Sequence, residues 1–219
     1  MPYVGFGVAA ALLGGFGLLA DEVVEGDTLD FDTAILHSLR VPGDLKDPIG
    51  PPWLEDAFRD ITALGSVAIL TLLVVLIVLH LAFSNRIRTA VYLSSAVIGG
   101  TIISSVLKTL FDRPRPDLTG VTEVFNASFP SGHATVSAVV YLTVGALLAE
   151  MTQSRPLKIF YVAVAILLTF LVGISRVYLG VHYPTDVVAG WSIGAAWALI
   201  CVVAAHIVKT RNGRTSTAE

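Results

Sequence analysis

Charged side chains make up only 14% of this 219-residue chain, yet three short segments place ionisable groups directly beside apolar runs. Lys108 is followed, after six residues, by Arg115-Pro116; Pro130-Ser131-Gly132-His133 stands before an uncharged run; Ser175-Arg176 leads on to His182 and Asp186. Lys108, Arg115 and Arg176 suit a dianionic phosphate, the guanidinium groups by forked hydrogen bonds and the lysine as a point charge. Ser131 and Gly132 precede a helix, where free backbone N–H groups and the dipole favour an anion, and glycine lacks the Cβ that would block its approach. His182 and Asp186 are four apart, so the carboxylate can reach back to the imidazole Nδ1, fix the tautomer and leave Nε2 free to attack. His133, on another segment, is placed to protonate a leaving alkoxide and afterwards to activate water. No stage demands a metal or other cofactor, because the basic residues neutralise the transferring group.

Helices in a bilayer must position these segments. The chain is 54% hydrophobic with a mean hydropathy of +0.76, whereas an ordinary soluble domain carries about 25% charged residues. A net charge of -3 without a basic stripe argues against a nucleic-acid partner. Cys201 is the only cysteine, which excludes an intrachain disulfide and a cysteine-based metal site.

Five uncharged runs, 3–20, 61–83, 89–107, 134–149 and 159–174, and a sixth apolar run, 184–208, whose one formal charge is Asp186 in its first turn, predict six transmembrane helices in one domain covering 1–219. The first has the apolar core of a signal peptide but no basic n-region, and Leu18 fits a cleavage site poorly, so a retained helix is expected. Ala10 and Gly14 in it, and Gly190 and Gly194 in the sixth run, have the spacing that lets helices approach closely. Arg113-Pro114-Arg115-Pro116 ends the third helix, because residues before proline avoid the α region. Pro184 suits the first turn of the sixth.

Residues 21–60 form the one extended polar connection, with eleven acids against Arg40, Lys46 and Arg59. Phe31, Ile35 and Leu39 predict a short amphipathic helix on the membrane surface, and the acids read as a solvated face in preference to a cation site. Residues 209–219 read as a polar cytoplasmic tail. Both membrane faces carry seven basic residues, but Lys108, Arg115 and Arg176 belong to the candidate site and Arg113 adjoins it. The residues left to report topology are Arg86, Arg88, Arg155, Lys158, Lys209, Arg211 and Arg214 against Arg40, Lys46 and Arg59, which puts both termini in the cytoplasm and the site on the outer face.

The three segments, in this order and spacing, resemble the three-part signature of the type 2 phosphatidic acid phosphatase superfamily across residues 108–186. The resemblance implies an all-α bundle of six transmembrane helices with an acid phosphatase/vanadium haloperoxidase-like core. It implies a metal-independent phosphatase with no cofactor, acting on a lipid phosphate or lipid pyrophosphate in the bilayer: a polyprenyl pyrophosphate, phosphatidylglycerol phosphate or phosphatidic acid. It assigns His182 as nucleophile through a phosphohistidine, His133 as general acid and base, Asp186 as the partner of His182, and Lys108, Arg115, Ser131, Gly132 and Arg176 as phosphate ligands. A bacterial inner membrane would be the setting. Arg113 is an extra cation that the signature does not use.

Two other classes fit parts of the pattern. A transporter of an anionic substrate would need charged or helix-breaking residues near the middle of several spans, whereas the middles of these runs are free of charge and the polar set sits at one edge. A vanadate-dependent haloperoxidase would share the anion site. Among the remaining residues, His37 reads as solvated and His80 and His206 as interfacial; Asp112 and Asp117 read as surface partners of the basic cluster. Asn126-Ala127-Ser128 matches a glycosylation triplet by coincidence, and Trp53, Trp191 and Trp197 read equally as interface-belt or packing residues.

Overall fold

A computed structural model describes residues 2–116, 118 and 127–215, with side chains from 3 to 210 within those limits. Asp117, Asn126 and the last tail residues, 216–219, lie outside the described residues. In chain order the elements are α1 (Pro2–Glu25), α2 (Leu29–Ser38), β1 (Arg40–Val41), β2 (Asp44–Pro48), α3 (Pro52–Ala63), α4 (Val67–Phe83), α5 (Ile87–Phe111), α6 (Gly132–Met151), α7 (Arg155–Tyr178) and α8 (Pro184–Thr215). Five helices among the described residues are long and apolar enough to cross a bilayer, and α3 with α4 makes a sixth if the bent pair is one span.

That bend corrects the expected continuous second helix. The two pieces meet at 45°, because the chain turns through Leu64-Gly65-Ser66 and Ser66 Oγ then caps α4 by accepting from the Ile69 N–H at 3.3 Å. Tyr141 Oη donates to the Leu64 carbonyl at 2.7 Å and ties the break to α6. Most other helices outrun their uncharged cores: α1 continues through Asp21 and Glu22 to Glu25, α7 carries Ser175 and Arg176 within its last turns, and α8 extends to Thr215 into the expected tail.

α6 is the central helix and packs against α4, α5, α7 and α8. Half of its apolar window is buried, against 11% for α1, and its inner face is small or β-branched: Ala134, Thr135, Ala138, Val139 and Val140. Close packing with α8 follows from the two glycines singled out in sequence. A Cβ on Gly190 would lie 2.8 Å from the Ser131 carbonyl, and one on Gly194 would lie 2.5 Å from that of Thr135. The Ala10–Gly14 pair makes no such contact; a Cβ on Gly14 would meet nothing, and it is Gly5 that faces Val203 of α8. Leu72, Phe83, Ile98, Leu110, Ile159 and Leu167 are exposed around the bundle, an apolar belt far larger than a water-soluble surface tolerates. Trp191 and Trp197 are packing residues, their indole N–H groups donating to the carbonyls of Thr169 and Ala96, while Trp53 is exposed.

The acidic connection is ordered and differs from expectation. α2 buries Asp32 and Leu36, while Phe31 is exposed, so its inner face is not the Phe31–Ile35–Leu39 stripe. β1 and β2 form a small antiparallel hairpin. Buried Arg40 pins it to the bundle by donating to the Tyr178 carbonyl at 2.9 Å, an acceptor that the end of α7 leaves without an intrahelical donor. Gly180, at φ +69°, completes this joint: any Cβ there would collide with the Arg40 guanidinium.

Candidate active site

Each signature segment reaches the site from a helix end. Lys108 lies one turn before the end of α5, which stops at Asp112 in the left-handed region (φ 41°) and is followed by Arg113-Pro114-Arg115 outside any helix. Lys108 Nζ donates to the Ala127 carbonyl at 2.7 Å. Its stem passes Gly132, where a Cβ would sit 3.2 Å from Lys108 Cε. Gly132 starts α6 with Ser131 as the N-cap residue.

The sequence expectation of free amides at Ser131 needs one correction. The Ser131 N–H donates to the Asp186 carbonyl at 2.9 Å, joining the start of α6 to the start of α8. What Ser131 offers instead is its hydroxyl: Ser131 is fully buried, and its Oγ has no hydrogen-bond partner among the described residues. A buried polar atom left this way costs free energy unless a ligand completes it. The amides of Gly132 and His133, in the first turn of α6, have no carbonyl one turn behind them within the helix.

His182 lies in the short turn between α7 and α8 and is buried. Its Nδ1 is 3.3 Å from Asp186 Oδ2 and 3.3 Å from Ser128 Oγ. Asp186, in the first turn of α8, also accepts from the Tyr183 N–H at 2.9 Å and, in a very short contact, from Ser128 Oγ. With Nδ1–H directed at the carboxylate, Nε2 carries the lone pair. Burial pushes the His182 imidazole down to about 4, with Arg176 and Arg115 adding to the depression and Asp186 opposing it. At neutral pH the imidazole is therefore uncharged.

The three segments do converge. His133 lies within electrostatic reach of Arg176, His182, Arg115 and Lys108 together. Arg176, in the last turn of α7, donates from Nη1 to Thr62 Oγ1 at 3.1 Å. The break between α3 and α4 passes over the same place, since a Cβ on Gly65 would come within 3.3 Å of His133 Cδ2. A cationic floor, two imidazoles and a buried carboxylate thus share one end of the bundle. Such a site can bind a phosphate, attack it and donate a proton to its leaving group.

The PAP2 superfamily profile matches residues 89–209, more than half of the chain. The chain belongs to the PAP2 superfamily. It is 35% identical over 148 residues to phosphatidylglycerophosphatase B of Bacillus subtilis, covering 67% of this chain and 72% of that protein. It is 33% identical over 123 residues to a lipid A 1-phosphatase of Rhizobium johnstonii, which is 51% of this chain and 46% of the relative, so it spans about half the length of that protein. A crystal structure of a transmembrane PAP2-type phosphatidylglycerolphosphate phosphatase from Bacillus subtilis superposes with a TM-score of 0.77 at 29% identity, covering 88% of this chain and 93% of that one. The fold class, an all-α membrane bundle, and the activity class, metal-independent hydrolysis of a lipid phosphate, follow with membership.

Around this PAP2 site stand residues that the sequence alone did not bring to it. Ser128 had appeared only as the end of a glycosylation-like triplet; its backbone N–H bonds the Arg113 carbonyl at 2.7 Å, and its hydroxyl bonds Asp186. Thr62 and Gly65 come from a run that looked like uninterrupted membrane helix, and the Gly65-Ser66 pair inside it was the available signal of a break. Arg113 bonds Asp186, and Asp32 bonds Arg113; nothing in the acidic run distinguished Asp32 from its ten acidic companions.

Proposed function

We propose that this PAP2 phosphatase hydrolyses the phosphomonoester or pyrophosphate of a membrane lipid, phosphatidylglycerol phosphate first, with a polyprenyl pyrophosphate and phosphatidic acid as the other candidates. The relatives with that activity, one matched over two thirds of this chain and one by fold, support the choice. In this reading Lys108, Arg115, Arg176, the Ser131 hydroxyl and the Gly132 amide hold the phosphoryl oxygens. His182 Nε2 attacks phosphorus in line with the ester oxygen; the P–O bond breaks, and His133 gives its proton to the departing lipid alkoxide. Asp186 stabilises the positive charge that grows on the imidazole ring. His133 then takes a proton from water, which attacks phosphorus, breaks the P–N bond and releases inorganic phosphate.

The single observation that carries this reading is the buried Ser131 hydroxyl, without a hydrogen-bond partner among the described residues, at the same helix start as His133 and close to three convergent cations and a neutral His182. The phosphatase domain spans 1–219 and sits in a bacterial inner membrane with both termini cytoplasmic, a setting supported by the basic residues of the turns after α4 and α6. The site then opens outward. Purified enzyme in detergent and chelator, given lipid monophosphates and pyrophosphates of varied tail, tests the substrate: fastest phosphate release from phosphatidylglycerol phosphate is expected, and no release from any lipid would overturn the reading. Vanadate should inhibit; halide oxidation on adding vanadate and peroxide would point to the haloperoxidase class.

A further inference from the structure

Arg113 and Asp32 lie outside the signature, yet both are drawn into its centre. The Arg113 guanidinium lies over the Tyr183 ring, 4.2 Å from its centroid. Its Nη1 donates to Asp186 Oδ1 at 2.7 Å and to Thr185 Oγ1 at 2.9 Å, and its Nη2 donates to Asp32 Oδ2 at 2.8 Å. Asp32 has no exposed surface. It accepts from the Thr185 N–H at 3.0 Å and the Thr185 hydroxyl at 2.5 Å, so a carboxylate from α2 caps the first turn of α8, the turn that carries Asp186.

We propose that Asp32 and Arg113 are positioning residues for the His182–Asp186 pair, which makes the acidic connection between the first two spans part of the catalytic apparatus. This rests on the reading that His182 and Asp186 perform the chemistry. Arg113 occupies Oδ1 of Asp186, which leaves Oδ2 to the His182 imidazole, Ser128 and the Tyr183 amide. One carboxylate oxygen anchors the group and the other serves the histidine.

Charge supports the same division. Asp32, Arg113 and Asp186 together carry one net negative charge, which is what an imidazolium or phospho-imidazolium at His182 needs nearby. Without Arg113, two buried carboxylates would share the cluster with no cation between them, an arrangement that repels. Without Asp32, Arg113 and Asp186 would neutralise each other. A buried ion pair adds little net stability over apolar packing, so the trio is poorly explained as a fold fastener. Burial opposes the Arg113 charge, but Asp186 and Asp32 outweigh it and push the guanidinium above its ordinary range.

The test is a double-mutant cycle on the full chain in detergent, using phosphatidylglycerol phosphate as substrate and inorganic vanadate as probe of the phosphate pocket. A hydrogen bond to a charged group gives the scale, so kcat should fall roughly 10-fold in D32N and roughly 100-fold in R113Q. KM and the vanadate inhibition constant should stay within about twofold, because the phosphate ligands are untouched. The two residues act as one unit, so D32N/R113Q should be no slower than R113Q alone. R113K keeps the charge without the fork and should recover part of the lost rate. Wild-type kcat in D32N or R113K would overturn the proposal, as would strictly additive losses or a fall in vanadate affinity matching the fall in kcat. If wild-type enzyme releases no phosphate, or His182→Ala retains turnover, the reading of the site itself fails. If those controls behave and the Asp32 and Arg113 variants match wild type, only the present inference fails.

Discussion

Two polar clusters flank His182, and they are built on opposite plans. Lys108, Arg115 and Arg176 come from the segments 108–116 and 175–186, and with them stands the Ser131 hydroxyl, which lacks a partner among the described residues. Asp32, Arg113 and Thr185 are closed among themselves, every charge matched by a hydrogen bond of 2.5–3.0 Å. The first cluster is arranged to receive an anion from outside. The second is complete without a ligand and acts on the substrate only through Asp186. A cluster waiting for a ligand should govern affinity; a satisfied cluster should govern the reactivity of the group it holds.

The sharpest way to break that contrast is at Asp186 itself, where the clusters meet. Asp186→Asn should lower kcat by about 10³- to 10⁴-fold with KM little changed, because the amide can hold the wrong tautomer of His182; phosphate-release kinetics would check it. Ser131→Ala should do the reverse. It removes a donor to the phosphate and no protein partner, so the loss, roughly 10-fold, should appear in KM and vanadate affinity. Loss of kcat alone in that variant would merge the two clusters into one.

A smaller effect concerns acid stability. The folded pKa of His182, about 4, lies below the unfolded value of about 6.5, so the unfolded chain takes up this proton first. The contribution to stability is complete above pH 6.5 and is lost as pH falls towards 4. Melting temperatures measured between pH 7 and 4 should therefore fall less steeply in His182→Gln than in wild type. Smallest of all, Leu36→Ala, under α2 against Leu118 and Tyr183, should lower kcat a few-fold at most through looser seating of Asp32, with vanadate affinity unchanged.

The first cluster was legible in the sequence and the second was not. Lys108, Arg115, Ser131, His133, Arg176, His182 and Asp186 announce themselves because each breaks an apolar run at a helix end, where a charge is costly, and His182 and Asp186 pair over a local spacing of four. Asp32 pairs with a residue 81 positions away. It sits in a run of acids that all look solvated, and only the tertiary docking of α2 through Leu36 reveals which of them is buried. The apolar cores of the spans were legible because bilayer thickness fixes their length, but the helices run beyond them, α3 from Pro52 and α8 to Thr215. The break at Gly65 was not, since the composition stays apolar across it while the reason for it, room above His133 and a bond from Tyr141 to the freed Leu64 carbonyl, lies on α6.

The central claim is that phosphorus passes through His182. Wild-type enzyme and the His133→Ala variant, mixed with a lipid carrying ³²P in its phosphate and quenched in alkali within milliseconds, would be digested and the label located by peptide mass spectrometry. The account predicts an alkali-stable, acid-labile label on the peptide bearing His182, present in wild type and absent in His182→Ala, with both its formation and its loss slowed in His133→Ala. Label on another residue, or full phosphate release with no labelled enzyme at any time in either protein, would contradict it.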